Sequence, residues 1–319
     1  MAKFVVTGGA GFIGSHFVDT ALAKGHSVLC LDNFSTGKKF FLEAALQNKN
    51  FKLVELDITH FDNLSKAVSD FKPDWVIHFS ANADVRRGTD HPRKDLDQNT
   101  IGTWNVIESS RLSGCKNILF SSTGSVYGEP EVFPTPESCP FPVQTSLYGA
   151  SKLAGEGILS AYALGFAMNC VVFRFVSILG PRYTHGHVFD FIKKLSNNSK
   201  KLEILGDGNQ TKSYLHINDL MNGLWTVIQN KPVGFSVYNI GHDDALIVRQ
   251  SAKYIVDKMN LSPEFQFMGG ERGWIGDSPR IQLDTSKLKK LGWKTTVSLQ
   301  KAVEETTEYL LKNPELLKD

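Results

Sequence analysis

The chain has 319 residues, 41% of them hydrophobic and 21% charged, with a formal net charge of +2. That length suffices for one large domain or two modest ones around a buried core, and with no long Lys/Arg run neither nucleic acid nor an anionic membrane is an expected partner. Cys30, Cys115, Cys139 and Cys170 form no CxxC pair, so neither a disulfide framework nor a metal site is expected.

The N-terminal MAKFVVTGGAG enters an apolar run with no charged leader or signal segment before it. AYALGFAMNCVVF, the most apolar stretch, is broken by Asn169 and is too short to span a bilayer. A cytoplasmic protein with no membrane partner is the expectation. KFVV, SVLCL, FKLVEL, DWVIHF, NILFSS and NCVVFRF then follow as compact apolar segments of strand length. Between them lie helical patterns such as SHFVDTALAKG and TIGTWNVIESSRLSG, each closing on a glycine that can stop a helix. This alternation predicts an α/β fold, a doubly wound parallel sheet with helices on both faces. Past about Phe175 the rhythm changes, and LGPRYTHGHVFDF and MGGERGWIGDSPRIQLDTSKLKKLGW are rich in loops. A smaller α/β region is expected there.

The first strand runs into TGGAGFIG, in which Gly9, Gly11 and Gly14 fit GxGxxG, and Gly8, Gly11 and Gly14 fit GxxGxxG. Small residues at these points let the backbone turn tightly and let a pyrophosphate reach a helix N-terminus. Asp32 ends the second strand, 18 residues past Gly14, near the ~20 expected of a carboxylate that binds the adenosine ribose. A carboxylate there repels a 2′-phosphate, so NAD is the expected cofactor rather than NADP, a preference that Lys38 and Lys39 soften. The sheet is therefore expected to be Rossmann-like, with residues 1–175 as the NAD-binding domain and a return segment near 211–242. Residues 176–319 are expected to form mainly a substrate-binding region.

The fifth strand ends in FSSTGSVYGEP, and strand C-termini are where ligands sit in such sheets. After the Pro-rich loop FPTPESCPFPVQT comes SLYGASKLAGEG, with Tyr148 and Lys152 four apart on one helix face. Thr123, Tyr148 and Lys152 would place a hydroxyl, a phenol and an ammonium beside the cofactor. Taking a hydride from an alcohol carbon requires that its hydroxyl proton leave too. A free phenol, with a pKa of about 10, is a poor base at neutral pH, so a nearby ammonium and a positive nicotinamide ring are expected to lower it. Tyr254 and Lys258 repeat the spacing without a glycine loop or a strand-end hydroxyl, and are expected to be a surface helix pair.

TGGAGFIG, LDN, SSTGSVYG and YGASK, in this order, resemble the extended short-chain dehydrogenase/reductase family, specifically its nucleotide-sugar epimerases and dehydratases and, among these, the hexose 4-epimerases. LDIT, HFSANADV, QNTIGTWNV, GDGNQTKSYLHINDL and LDTSKLKKLGW extend the likeness over nearly the whole chain. The resemblance implies Thr123, Tyr148 and Lys152 as the catalytic set, with Lys152 also bonding the nicotinamide ribose. It implies cofactor contacts from Gly8, Gly11, Phe12, Ile13, Gly14, Asp32 and Asn33, from Asp57 and Ile58 beside the adenine, and from Phe79, Ser80, Ala81, Asn99 and Ser121. For the substrate it implies Asn82, Thr123, Ser125, Ser177, His187, Lys212, Tyr214, Arg272, Asp277 and Ile281. A homodimer through the helices around residues 100–112 and 148–164 is implied as well.

Departures from the family pattern bear on the reaction. Sugar 4,6-dehydratases carry an Asp–Glu pair where this chain has Gly124 and Ser125, and related decarboxylases keep a Glu at the position of Ser125. Without those carboxylates the resemblance points to epimerisation at C4 of a UDP-hexose, leaving a 2-epimerase, a 4-reductase or a dinucleotide sensor without chemistry as alternatives. Lys212 stands where hexose 4-epimerases commonly carry Arg, Trp274 where they carry another, and Ser177 where they carry Asn. Arg272, Arg182 or Arg280 would then supply the missing charge for a diphosphate. Ile281 replaces a bulky Tyr, which makes room for a 2-N-acetyl group.

Overall fold

A computed structural model describes residues 1–83, 88, 90–141, 143–270 and 280–318. Six strands alternate with helices: β1 (Lys3–Thr7), β2 (Ser27–Asp32), β3 (Phe51–Glu55), β4 (Trp75–His78), β5 (Asn117–Thr123) and β6 (Asn169–Phe175). They lie in the order β3-β2-β1-β4-β5-β6, and Phe235–Ile240 adds a seventh strand beside β6. All five pairings from β1 to β6 are parallel. The strands β1, β2, β4, β5 and β6 are buried through their cores, as in parallel sheets covered on both faces, while β3 at the edge is partly exposed. Val5, Val76, Ile118 and Val172 face a layer that includes Leu64, Val68, Val106, Ile107 and Leu159. Phe4 points the other way, with its ring 5.7 Å from that of Phe17 on the helix Phe12–Ala23.

Strand order reverses between β1 and β4. Thr7 and His78 are register partners there, so the segments that follow them leave the sheet side by side. A ligand crevice opens at such a reversal. The expected doubly wound, Rossmann-like parallel sheet is therefore present.

The chain divides into two compact units. One comprises Met1–Pro130, Pro140–Phe175 and Val227–Tyr238; the other comprises Glu131–Cys139, Val176–Thr226 and Asn239–Asp319. The return to the first unit spans Val227–Tyr238. Part of the Pro-rich loop also leaves the first unit, because its backbone is taken up elsewhere: the Thr135 amide donates to the Gln282 carbonyl (2.8 Å), and Asn239 donates through its side chain to the carbonyls of Thr135 (2.8 Å) and Asp284 (3.1 Å). The second unit holds short strand pairs, Ser177–Leu179 with Tyr214–His216 and Lys201–Ile204 with Glu264–Phe267, and the helices His187–Asn197, Val248–Lys258 and Leu299–Lys312. Among the described residues no helix is long and apolar enough to cross a membrane.

Candidate active site

The glycine loop leaves the end of β1 with Gly8 at φ +68°, and a Cβ there would fall 2.7 Å from the Ser80 amide nitrogen. At Gly14 a Cβ would fall 2.1 Å from the Gly8 carbonyl oxygen. Only glycine fits either position. Gly11 caps the helix Phe12–Ala23 without a side-chain bond, which leaves a helix N-terminus suited to an anion. Phe12 is buried, with its ring 5.8 Å from His16, and Ile13 is half-buried.

Asp32 accepts from the amides of Ala10 and Phe34, each at 2.9 Å. Burial pushes its carboxyl upward, and these two bonds act against that. The carboxylate expected to meet a ribose therefore also ties the glycine loop to the end of β2, and each oxygen keeps a lone pair for a diol. Asn33 donates to Asp57 (2.7 Å), which also accepts from the Thr59 amide and hydroxyl. Burial raises the Asp57 pKa, but these bonds outweigh it and hold the group below its ordinary value. Ile58 is core: it is 3% exposed, and its carbonyl accepts from Asn105 (2.8 Å). Its side chain is not available to an adenine. Phe79, Ser80 and Ala81 are half-buried after β4, with Phe79 edge-on to Phe17 at 5.9 Å. The space at Gly8 and Gly14, the helix N-terminus at Gly11 and the Asp32 carboxylate together fit a dinucleotide.

β5 ends at Thr123, whose hydroxyl donates to Ser125 Oγ (3.2 Å) and accepts from the Ser125 amide (3.1 Å). The helix Leu147–Gly165 starts on a Ser146 cap that accepts from the Gly149 amide at 3.0 Å. Tyr148, Lys152 and Glu156 follow at four-residue steps on one face. Lys152 is 1% exposed; its Nζ donates to the Ser121 carbonyl (2.8 Å) and stands 4.7 Å over the Phe120 ring. Ser121 in turn donates to the His78 carbonyl at 3.0 Å. Thr123 hydrogen-bonds to the half-buried Tyr148. The structure thus brings the expected trio together.

Burial pushes the Tyr148 phenol up to about 12, the Asp95 charge adds to this, and only the Thr123 hydrogen bond opposes it. Burial likewise brings Lys152 down to about 7, against the charges of Glu156 and Asp95. His78, buried behind them, is held at about 3 by burial and by the charge of Lys152.

Two polar networks that the sequence does not announce support this site. In the first, Asn99 lies in a π-helical turn, Leu96–Ile101, a feature frequent at functional sites. Its amide group donates to the Asn82 carbonyl (3.0 Å), Asp95 (3.2 Å) and Ser151 Oγ (3.0 Å), and Ser151 donates to the Tyr148 carbonyl (2.8 Å). Asn82 returns an amide bond to Asn99 and a side-chain bond to Asp95, both 2.8 Å. In the second, Glu156 pairs with Arg174 at 2.7 Å, both nearly fully buried, and Ser122 donates to Glu156 while Arg174 donates to the Tyr127 phenol (2.7 Å).

The expected substrate residues of the second unit also converge. Lys212 is the register partner of Ile281 on one side and of Leu246 on the other. Ser177 pairs with Tyr214, whose ring lies 4.8 Å from that of His187. Burial and the Lys212 charge hold His187 at about 3, so it is neutral, and its Nε2 is 2.7 Å from Ser251 Oγ. Tyr214 is only 4% exposed and supports the His187 ring from within. Arg280 stacks 4.4 Å over Phe133. Arg272, Trp274 and Asp277 lie outside the described residues.

The profile of the NAD dependent epimerase/dehydratase family matches residues 4–241. UDP-glucose 4-epimerase of Mycolicibacterium smegmatis is 32% identical over 313 residues, 96% of this chain and 98% of that one. The crystal structure of UDP-glucose 4-epimerase from Thermotoga maritima with UDP-glucose superposes at TM-score 0.86 with 31% identity, covering 98% and 99% of the two chains. UDP-glucuronic acid 4-epimerase from Bacillus cereus, in complex with UDP-glucuronic acid and NAD, gives TM-score 0.89 at 28% identity over the same shares.

Proposed function

The chain belongs to the NAD dependent epimerase/dehydratase family, an NAD-dependent family of nucleotide-sugar enzymes, and from that premise we propose that it inverts C4 of a UDP-hexose through a 4-keto sugar. The observation that carries this reading is the Thr123–Tyr148–Lys152 set followed by Gly124 and Ser125. It has a base and a hydroxyl for one alcohol, and none of the carboxylates that elimination or decarboxylation would use. NAD, when bound along the glycine loop, supplies the hydride acceptor and donor. Tyr148 takes the O4 proton as the C4–H bond breaks and gives it back when the bond re-forms on the other face of the ring. Thr123 bonds the same oxygen and aligns it. Burial holds the phenol above its ordinary value, so positive charge beside it would favour the phenolate.

The test is interconversion of UDP-glucose and UDP-galactose with no net cofactor change. UDP-glucuronate and UDP-N-acetylglucosamine run in parallel, the first because of the likeness to the B. cereus enzyme and the second because of Ile281. Tyr148→Phe should lose about 10²–10⁴ in rate. An undiminished rate would remove Tyr148 as the base, stoichiometric consumption of reduced cofactor would make the protein a reductase, and failure on the acetylated sugar alone would refute the reading of Ile281.

A further inference from the structure

Asp95 is a buried carboxylate, 1% exposed, that the chemistry above does not use. It ends the short helix Pro92–Asp95 just before the π-helical turn. One oxygen, Oδ1, accepts from both Asn82 Nδ2 (2.8 Å) and Asn99 Nδ2 (3.2 Å). The same Asn99 amide donates to Ser151 Oγ, which is bonded to the Tyr148 carbonyl. A chain of hydrogen bonds therefore runs from Asp95 to the first turn of the helix that carries Tyr148 and Lys152.

We propose that Asp95 is a positioning residue for the reaction: through Asn99 and Ser151 it fixes the first turn of the helix that carries Tyr148 and Lys152. The inference rests on the reading of Tyr148 as the proton acceptor. Among the described residues, Asp95 is the charge that acts on the phenol, while Glu156 and Asp95 act on the Lys152 amine, and Glu156 is paired with Arg174. His78 is neutral, and on the segment of Asp95 itself Arg93 is paired with Asp97 at the surface (3.0 Å), with Lys94 beside them. Asp95 raises both the phenol and the amine. It thus favours the doubly protonated state, in which Tyr148 holds its proton until a positive charge enters the site. Charges in a poorly hydrated site act strongly on one another.

Asp95→Asn keeps an oxygen for Asn82 and Asn99 and removes the charge; Asp95→Ala removes both. The first readout is the ultraviolet titration of the Tyr148 phenol, taken as the difference from a Tyr148→Phe background, which needs no substrate and so stands apart from the assignment of the reaction. In Asp95→Asn the phenolate should form on the order of 1 pH unit lower. A titration indistinguishable from the unaltered protein would overturn the electrostatic role. The second readout is kcat and KM across pH on whichever UDP-sugar is turned over. Asp95→Asn should move the acid limb of kcat downward. Asp95→Ala should show the same shift and a further loss in kcat of about tenfold, restored in Asp95→Asn. Equal kcat in the two variants would overturn the positioning role. A protein inactive on every UDP-sugar would remove the C4 reading and leave the titration to decide the charge effect.

Discussion

Replacing Glu156 by Gln leaves the guanidinium of Arg174 facing an amide in a site where both side chains are under 5% exposed. Arg174 reaches Glu156 with Nε at 3.1 and 3.2 Å and with Nη2 at 2.7 Å, so the change removes a bidentate charged pair, not a surface contact. Breaking a buried pair by removing one charge costs about 3–5 kcal/mol. At about 2–4 °C per kcal/mol for a large domain, the melting temperature should fall by roughly 6–20 °C. Scanning calorimetry on the unaltered chain, Glu156→Gln, Arg174→Met and the double variant reads this directly. The double variant should melt well above the sum of the two single losses, because neither charge is then stranded. A Glu156→Gln protein melting within about 2 °C of the unaltered one, or strictly additive losses, would refute the assignment of this pair as buried and coupled.

Gly14→Ala places a methyl group 2.1 Å from the Gly8 carbonyl oxygen, and overpacking of about 1–3 kcal/mol should weaken NAD binding about 5- to 150-fold by titration calorimetry; an unchanged Kd would contradict the loop geometry. Lys152 titrates near 7 when folded against an ordinary 10.5, so between these values the unfolded chain holds more protons and stability rises with pH. Its slope should approach about 1.4 kcal/mol per pH unit in urea unfolding from pH 7 to 10. Lys152→Met should lose this component, and an equal slope in the variant would place the effect elsewhere. A homodimer is proposed through the helices near 100–112 and 148–164, where Trp104 (40% exposed), Leu112 (52%) and Leu164 (90%) present apolar surface. Light scattering should give twice the chain mass, and Leu164→Glu with Trp104→Lys should halve it; a monomeric unaltered protein would end that proposal.

Much of the first unit is legible because its signals are local. Strand burial follows from runs such as NILFSS, and the glycine loop is held by clashes that only glycine avoids, so spacing alone reveals it. Tyr148 and Lys152 are legible for the same reason, four residues apart after a strand-end hydroxyl. Asp95 is not: within HPRKDLDQ it reads as one charge in a solvated run, and only its burial against Asn82 and Asn99 sets it apart. Glu156 and Arg174 lie 18 residues apart on a helix and a strand, and no periodicity marks them as partners. The fate of residues 131–139 was equally hidden, since it depends on backbone bonds to Gln282 and Asp284 far along the chain.

The charges around the candidate site form one problem rather than several. Burying Lys152 is unfavourable, and left alone it would shed its proton at neutral pH, as its descent to about 7 indicates. Glu156 counters that from the following turn, and Asp95 from the end of the short helix Pro92–Asp95. Glu156 has its own countercharge in Arg174, so it brings the amine support without leaving a net negative charge against the phenol. Asp95 does act on the phenol, and in the direction that retains its proton. Burial and the Asp95 charge therefore hold the phenol in its protonated form. The same helix carries the amine, the phenol and the ion pair at four-residue steps, so a change at Glu156 should register in stability and in the amine's titration together. A change at Asp95 should register in the phenol as well as in the amine. If Glu156→Gln moved the Tyr148 titration as far as Asp95→Asn did, this division of roles would be wrong, and the two carboxylates would have to be treated as a single field acting on the whole site.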